Sequence, residues 1–308
     1  MTIAMVFPGQ GSQSQGMQAD LAAEFPIVRE TYGEASETLG YDLWQLVQDG
    51  PAEKLGETVV TQPAMLTAGV AAYRAWQEAG GQSPAQVAGH SLGEYSALVT
   101  AGTLSFGDAM KVVMRRAQLM QDAVPAGVGA MAAILGLDND SVRAVCAEVS
   151  GSQVAEPVNY NSPGQVVIAG HASAVDDAIE RAKAAGARRA MKLPVSVPSH
   201  SSLMTEAGEA LSGALAEANF SAPGIPVLAA TDGTPYGDAD DIRARLSLQV
   251  YSHVHWVATI KAMISGGATR IIECGPGKVL AGLVRRIDKG TPVSFIDNHD
   301  SLQKALQD

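Results

Sequence analysis

The chain has 308 residues, of which 46% are hydrophobic, 17% charged and only 5% aromatic. This composition supplies a large buried core and excludes an intrinsically disordered protein. Its 21 basic and 32 acidic residues give a formal net charge of −11, which argues against a general nucleic-acid or membrane-surface binder. The two cysteines are too few for a disulfide framework or a cysteine zinc site.

The beginning of the chain, MTIAMVFPGQ, has no basic residue before Arg29, so it is not typical of a signal peptide. No apolar run approaches the roughly 18 residues that are needed to span a bilayer. We therefore expect a cytoplasmic protein with no membrane or nucleic-acid partner, and we expect it to be a monomer.

Apolar runs and helical periodicity alternate in both outer parts of the chain. Strands are predicted at residues 2–7, 87–90 and 270–274, and helices at 62–79, 94–101, 108–123 and 278–287. Short apolar strands that alternate with helices predict an α/β fold, in which helices cover both faces of a mostly parallel sheet.

The middle of the chain has a different pattern. It predicts a strand at 129–135, a helix at 138–149 capped by Asp138, a hairpin of 154–160 with 165–169, a helix at 172–185 and an extended stretch at 188–195. The order β-α-β-β-α-β is that of a ferredoxin-like module. We therefore predict a large α/β core formed by residues 1–125 and 197–308, with an inserted small subdomain at residues 126–196.

Residues 89–93, GHSLG, form a G-x-S-x-G pattern between a predicted strand and a predicted helix. Such a turn pushes the serine hydroxyl outward, beside the free N–H groups and the positive dipole end of the helix. The backbone N–H of Leu92 would then stabilise an oxyanion formed by attack of Ser91. The alternative is that Ser91 only caps the helix between two closely packed glycines, and the strand-to-helix context favours the nucleophile.

The loop at residues 9–13, GQGSQ, ends the first predicted strand and offers the backbone N–H of Gln10 as a second oxyanion donor. It matches neither pattern of a phosphate-binding loop, and a plain glycine-rich turn is the alternative.

A nucleophilic serine needs a base, and six histidines compete for this role. His200 follows a proline-rich stretch where the chain re-enters the large core, which favours it as the base; a histidine with a purely structural role is the alternative. His90 precedes Ser91 and is predicted to point away from it as a support. His253 and His255 alternate as in a strand, but no third ligand accompanies them, so a metal site is not favoured.

Arg116 lies at the border of the buried stripe of its predicted helix. It is about 60° from Val113 and 40° from Met120 around the helix axis, whereas Arg115 is on the opposite side. A guanidinium at such a border needs an anionic partner. That partner is either a protein carboxylate, which is the commoner case, or a substrate carboxylate held by a bidentate pair of hydrogen bonds.

Several motifs follow one another along essentially the whole chain: FPGQGSQ at 7–13, QPA at 62–64, GHSLGEYSAL at 89–98, VNYNSPGQVVIAG at 158–170, PVSVPSH at 194–200 and ECGPGKVL at 273–280. In combination they resemble the malonyl-CoA:acyl carrier protein transacylase family of bacterial fatty-acid synthesis. The resemblance implies an α/β-hydrolase-like core with a ferredoxin-like insertion. It also implies ping-pong transfer of a malonyl group from malonyl-CoA to the phosphopantetheine thiol of acyl carrier protein, without a cofactor.

The resemblance further implies a role for each matching residue, and it implies no acidic member of a triad. The roles are Ser91 as nucleophile, His200 as base, Gln10 and Leu92 as oxyanion donors, Arg116 as the clamp for the malonyl carboxylate, Gln249 as the residue whose backbone carbonyl orients the base, and Gln62, Asn159 and Asn161 as residues near the pocket. Cys274, where valine is common, and Ser201, after the base, depart from the family pattern without touching these roles.

Acyl carrier proteins are acidic, so a local basic surface must compensate for the net charge of −11. Two clusters are candidates for docking the carrier: Arg181, Lys183, Arg188, Arg189 and Lys192 in the insertion, and Lys278, Arg285, Arg286 and Lys289 near the last part of the chain. For each cluster the alternative is a solvated face of no special function.

Three other functions share features of this pattern. A serine hydrolase, such as a thioesterase or a patatin-like lipase with Asp232 in its dyad, would use the same serine turn. A polyketide acyltransferase would differ mainly in its acyl group and carrier. A catalytically silent docking protein would keep the fold, but it would have no need of Ser91, His200 and Arg116 together.

Overall fold

A computed structural model describes residues 1–125, 127–195 and 197–308. The strands are β1 (Ile3–Phe7), β2 (Gln86–Gly89), β3 (Gly129–Leu135), β4 (Ala155–Ser162), β5 (Gln165–His171), β6 (Arg189–Lys192), β7 (Val227–Leu228), β8 (Arg270–Cys274) and β9 (Val293–Ile296). The α-helices are α1 (Ala19–Glu24), α2 (Pro26–Leu39), α3 (Leu43–Asp49), α4 (Ala52–Leu55), α5 (Thr58–Glu78), α6 (Gly93–Thr100), α7 (Phe106–Asp122), α8 (Asn139–Val149), α9 (Ala172–Ala184), α10 (Thr205–Glu217), α11 (Ala239–Gln249), α12 (Trp256–Ser265), α13 (Val279–Ile287) and α14 (His299–Gln307). Within these ranges no helix is both long and apolar enough to cross a membrane.

The larger sheet has the strand order β7-β2-β1-β8-β9, and all its neighbouring strands are parallel. Alternate residues of the central strand β1 point to opposite faces, and both faces are covered by helices. Met5 and Phe7 join a hydrophobic cluster with α2, α5 and α7, whereas Ala4 and Val6 join a cluster with α12 and α13. This arrangement confirms the predicted α/β fold with a mostly parallel sheet.

A separate antiparallel sheet has the order β4-β5-β3-β6. Helices α8 and α9 cover one of its faces with their own hydrophobic cluster, and the Asp138 side chain caps α8 by accepting a hydrogen bond from the N–H of Ser141 at 2.7 Å. The prediction of a strand at 129–135 is confirmed to the residue. Residues 126 and 196, at the predicted boundaries of the small subdomain, lie outside the described residues.

Several elements were not predicted: the helices α1–α4, α11, α12 and α14 and the strands β7 and β9. Of these, α1, α3 and α4 have only six, seven and four residues and are too short for a periodic signal. His253 and His255 do not lie in a strand: they flank Val254, which makes a single bridge to Asn159.

Candidate active site

A tight turn between β2 and α6 presents Ser91. Its φ of 54° lies in the left-handed region, which a residue with a side chain rarely adopts outside functional sites. A Cβ on Gly89 would collide with the backbone of Gly93, and one on Gly93 would collide with the carbonyl of Phe7 at the end of β1. Both glycines of the pattern are therefore required by close backbone packing, which holds the serine at the carboxyl edge of the sheet.

The hydroxyl of Ser91 contacts His200 and does not cap α6. Ser91 Oγ lies 2.7 Å from His200 Nε2, and His200 Nδ1 lies 2.8 Å from the backbone carbonyl of Gln249. Because a carbonyl only accepts hydrogen bonds, Nδ1 must carry the proton, which leaves Nε2 free to accept the proton of the serine. The sequence-predicted nucleophile, base and orienting carbonyl are thus brought together from three distant parts of the chain.

His200 is held in an unusual conformation and in an unusual electrostatic environment. Its φ is 68°, and its backbone N–H donates to the carbonyl of Val250 at 3.0 Å. Burial, together with the nearby Arg116 guanidinium, lowers the pKa of His200 to about 3. The imidazole is therefore neutral at physiological pH, as a general base requires.

Two backbone N–H groups lie beside Ser91. Gln10 and Leu92 line the same cavity as the serine, and neither N–H donates to another group among the described residues. A Cβ on Gly9 would lie 2.6 Å from the carbonyl oxygen of His90, so only glycine lets the loop approach the serine turn this closely. The pair has the character of an oxyanion hole.

Arg116 on α7 is only 2% exposed and has no carboxylate partner within the described ranges. One terminal nitrogen donates to Gln62 Oε1 at 2.6 Å, and the other donates to Gln249 Oε1 at 3.0 Å and lies 3.4 Å from Ser91 Oγ. Its Nε is buried and has no partner among the described residues. Of the two partners considered for this arginine, no protein carboxylate contacts it among the described residues, so a buried cation lies beside the serine.

The site opens into a cavity of about 280 Å³. Gln62 and Asn159 lie in its wall, and the buried Oδ1 of Asn159 has no partner in the part of the chain that the structure describes. Asn161 lies behind the wall, where its Oδ1 is 2.8 Å from Nε2 of His90. His90 packs edge-on against Trp256 and also lines the cavity, so its role as a support of the turn stays a prediction.

Two other candidate groups do not join this site. His255 stacks on Tyr160 with ring centroids 5.0 Å apart, and the described residues contain no group of side chains that could hold a metal ion. Asp232, the candidate for a patatin-like dyad, bonds with Arg245 at 2.6 Å. Sequence reasoning missed Glu94, a fully buried carboxylate three residues after the nucleophile.

Comparison with known proteins places this geometry in a family. A family model described as an acyl transferase domain matches residues 4–289. The malonyl CoA-acyl carrier protein transacylase of Escherichia coli (strain K12) is 53% identical over 304 residues, which cover 99% of this chain and 98% of that protein. The chain belongs to the malonyl CoA-acyl carrier protein transacylase family. It is therefore an acyltransferase.

Solved structures of transacylases have the same fold. The malonyl CoA-acyl carrier protein transacylase from Coxiella burnetii matches with a TM-score of 0.98 at 46% identity, over 100% of this chain and 97% of that one. A malonyl-transacylase solved in complex with its type II PKS acyl-carrier protein matches with a TM-score of 0.98 at 50% identity, over 100% of this chain and 99% of that one. The resemblance stated from the motifs is confirmed.

Proposed function

We propose that this protein transfers the malonyl group of malonyl-CoA to the phosphopantetheine thiol of an acyl carrier protein through a malonyl ester of Ser91. The observation that carries the proposal is the buried guanidinium of Arg116, which no carboxylate of the described residues contacts and which lies 3.4 Å from Ser91 Oγ. A malonyl thioester has a carboxylate one methylene away from its reacting carbonyl, so the two groups match in charge and in spacing. The names of the relatives support the same substrate and partner.

In the first half-reaction, His200 Nε2 takes the proton of Ser91, and the serine oxygen attacks the thioester carbonyl. The N–H groups of Gln10 and Leu92 donate to the resulting oxyanion. The intermediate collapses by breaking the carbon–sulfur bond, and the coenzyme A thiolate leaves with the proton that His200 carries.

In the second half-reaction, the carrier thiol gives its proton to His200, and its sulfur attacks the malonyl ester. Collapse of the second intermediate breaks the bond to Ser91, and His200 returns the proton to the serine oxygen. Arg116 holds the malonyl carboxylate in both steps. All proton transfers use His200 and the substrates themselves, so the proposed reaction requires no metal or organic cofactor.

Intact-mass spectrometry after brief incubation with malonyl-CoA tests the first half-reaction. The wild-type protein should gain one malonyl group, and it should gain far less acetyl from acetyl-CoA at the same concentration. The Ser91→Ala variant should gain neither group. Absence of a wild-type adduct with any acyl-CoA would refute the proposal, and rapid loss of the adduct to water would favour a hydrolase.

We also propose that the carrier docks on one of the two basic clusters. In the insertion, Arg181, Lys183 and Lys192 form salt bridges with Glu148, Glu180 and Asp176, so Arg188 and Arg189 supply most of the uncompensated charge. Near α13, Arg285 donates to the carbonyl of Val293 and Arg286 donates to the side chain of Gln165. Both acceptors are neutral, so these hydrogen bonds do not compensate the positive charge of either arginine.

The loop before α13 also brings one member of the basic cluster near α13 close to the candidate site. A Cβ on Gly277 would lie 3.5 Å from the carbonyl oxygen of Ser12, so the loop that carries the exposed Lys278 packs beside the Gln10 loop at the site. Reversing the charges of Arg285 and Arg286 should raise the KM for the carrier and weaken its salt dependence. The same change at Arg188 and Arg189 is the matched comparison, and a cluster whose reversal changes neither quantity is excluded.

The division of the chain is part of the same proposal. We infer an α/β-hydrolase-like core from residues 1–125 and 197–308 and a ferredoxin-like insertion at 126–196. The separate hydrophobic cluster under the antiparallel sheet supports it, as does the order β-α-β-β-α-β of β3, α8, β4, β5, α9 and β6. The monomeric state and the cytoplasmic location stay predictions.

A further inference from the structure

Glu94 is the one fully buried carboxylate close to the candidate site in the described residues, yet it does not line the cavity. Its Oε1 accepts hydrogen bonds from the backbone N–H of Ala230 at 2.8 Å and from the hydroxyl of Tyr236 at 3.0 Å. Its Oε2 accepts a hydrogen bond from Nε2 of Gln249. All three neighbours are donors, so the surroundings satisfy an ionised carboxylate, which only accepts.

Gln249 connects this carboxylate to Ser91, Arg116 and His200. Its Nε2 also donates to the backbone carbonyl of Ser91 at 2.9 Å, and its Oε1 accepts from Arg116 at 3.0 Å. Its own backbone carbonyl accepts from His200. The orientation of this one amide therefore affects the turn that carries the nucleophile and the position of the clamp.

An amide has two orientations that occupy nearly the same space, and its hydrogen-bond partners decide between them. Glu94 can only accept, so it requires the NH₂ group of Gln249 to face it. The oxygen of the amide must then face Arg116. In the opposite orientation the NH₂ group would point at the guanidinium, which can only donate, and the oxygen would point at Glu94 and at the carbonyl of Ser91.

We propose that Glu94 is a positioning residue that fixes the amide of Gln249 and thereby aims Arg116 at the acyl group, a role that rests on the function proposed above. The carboxylate also places a negative charge behind the clamp, separated from it by the amide. Burial raises the pKa of Glu94, while its three hydrogen bonds and the nearby Arg245 oppose the rise. The effect of Glu94 on the reaction is indirect, since it touches neither the cavity nor the reacting atoms.

The variant Glu94→Gln tests this role because it keeps the shape and changes one acceptor into a donor. Its oxygen must stay opposite the N–H of Ala230, so its NH₂ group faces Nε2 of Gln249 and the amide is driven to flip. We expect the kcat/KM ratio of malonyl-CoA over acetyl-CoA to fall about tenfold to a hundredfold, as for a buried donor left without an acceptor. Tyr236→Phe is the matched control: it removes a donor but leaves Glu94 an acceptor, and the ratio should stay within about threefold of wild type.

A double-mutant cycle separates positioning from a structural role. Gln249→Met removes the amide and keeps the backbone carbonyl that orients His200. If Glu94 acts through this amide, adding Glu94→Gln to Gln249→Met should leave the malonyl-over-acetyl ratio unchanged. A further loss equal to that in the single variant would overturn the proposal.

Thermal unfolding of each variant shows whether a change in rate reflects a damaged fold. If Glu94→Gln does not fold, the variant Glu94→Asp replaces it. The shorter side chain keeps a carboxylate acceptor but withdraws it from Gln249, so the malonyl-over-acetyl ratio should also fall. A folded variant with a wild-type ratio overturns the role of Glu94, while malonylation of Ser91 in the wild type still supports the proposed function. Failure of the wild type to form the malonyl adduct would instead overturn the function itself.

Discussion

Removal of the Arg116 side chain should convert the protein from a selective into an unselective acyltransferase. In Arg116→Ala, a bound malonyl carboxylate would enter a buried site that no longer holds a cation. Acetyl-CoA carries no carboxylate at this position and would lose nothing. The variant should therefore lose preference for malonyl-CoA to a far greater extent than it loses the capacity to acylate Ser91.

The magnitude follows from the burial of the guanidinium, which is 2% exposed. Leaving one partner of a buried ion pair without the other costs about 3–5 kcal/mol. At about 1.4 kcal/mol per factor of ten, the malonyl-over-acetyl ratio of kcat/KM should fall roughly 10²- to 4 × 10³-fold. Most of this fall should come from a lower kcat/KM for malonyl-CoA, with little change in kcat/KM for acetyl-CoA.

The assay is competition between malonyl-CoA and acetyl-CoA in a single incubation, with both acyl-enzymes counted by intact mass. Arg115→Ala is the control, because Arg115 is the exposed neighbour on the same helix and should leave the ratio unchanged. Arg116→Ala also leaves the amide oxygens of Gln62 and Gln249 without the donor that they had in Arg116. Thermal unfolding of both variants therefore checks whether this loss has destabilised the fold. A ratio that stays at the wild-type value, or an equal fall for both substrates, would refute the role of Arg116 as a clamp.

Three further predictions concern protonation and packing. In Arg116→Ala the loss of the cation should raise the pKa of His200 from its value of about 3, so the acid limb of the acylation rate should move to higher pH; an unmoved limb would contradict the electrostatic argument. Burial raises the pKa of Glu273 to about 7, so the folded state binds its proton more tightly and stability should fall as pH rises from about 4.5 to 7, by roughly 3 kcal/mol from this residue. Urea unfolding at pH 5 and pH 8 should show this loss in the wild type and a smaller one in Glu273→Gln, and equal losses would exclude the assignment. Gly93→Ala should destabilise the protein by more than 1 kcal/mol in the same assay, about the least that overpacking a close contact costs, whereas Gly107→Ala on α7 has free space for its methyl group and should not.

Much of the site was predictable because its signals are local. The G-x-S-x-G pattern places two required glycines around Ser91, and the helical periodicity of α7 predicted that Arg116 lies at the edge of a buried stripe. The pairing of Ser91 with His200 spans 109 residues, so the proline-rich segment before His200 could only favour it among the six histidines, and the assignment itself came from the resemblance of the motifs.

The unpredicted part of the site depends on contacts between distant residues. Glu94 is one acidic residue in a predicted helix, and nothing in that helix shows that Gln249 and Tyr236, 155 and 142 residues away, surround it. The lack of a carboxylate beside Arg116 in the described residues is equally invisible in sequence, because it depends on which side chains fail to reach the guanidinium. Helix α2 was overlooked although Val28, Tyr32 and Ala35 recur at helical spacing and are buried.

The central claim is that Ser91 carries the acyl group between two substrates, and the fate of the isolated malonyl-enzyme tests it most directly. The malonylated protein, freed of malonyl-CoA, is divided between buffer, acyl carrier protein with its phosphopantetheine arm, and the same carrier without the arm. We predict rapid loss of the malonyl group only with the arm-bearing carrier, with one malonyl group appearing on the carrier for each lost from the enzyme. Equal loss in all three samples, or an adduct that the arm-bearing carrier does not remove, would contradict the proposed transfer.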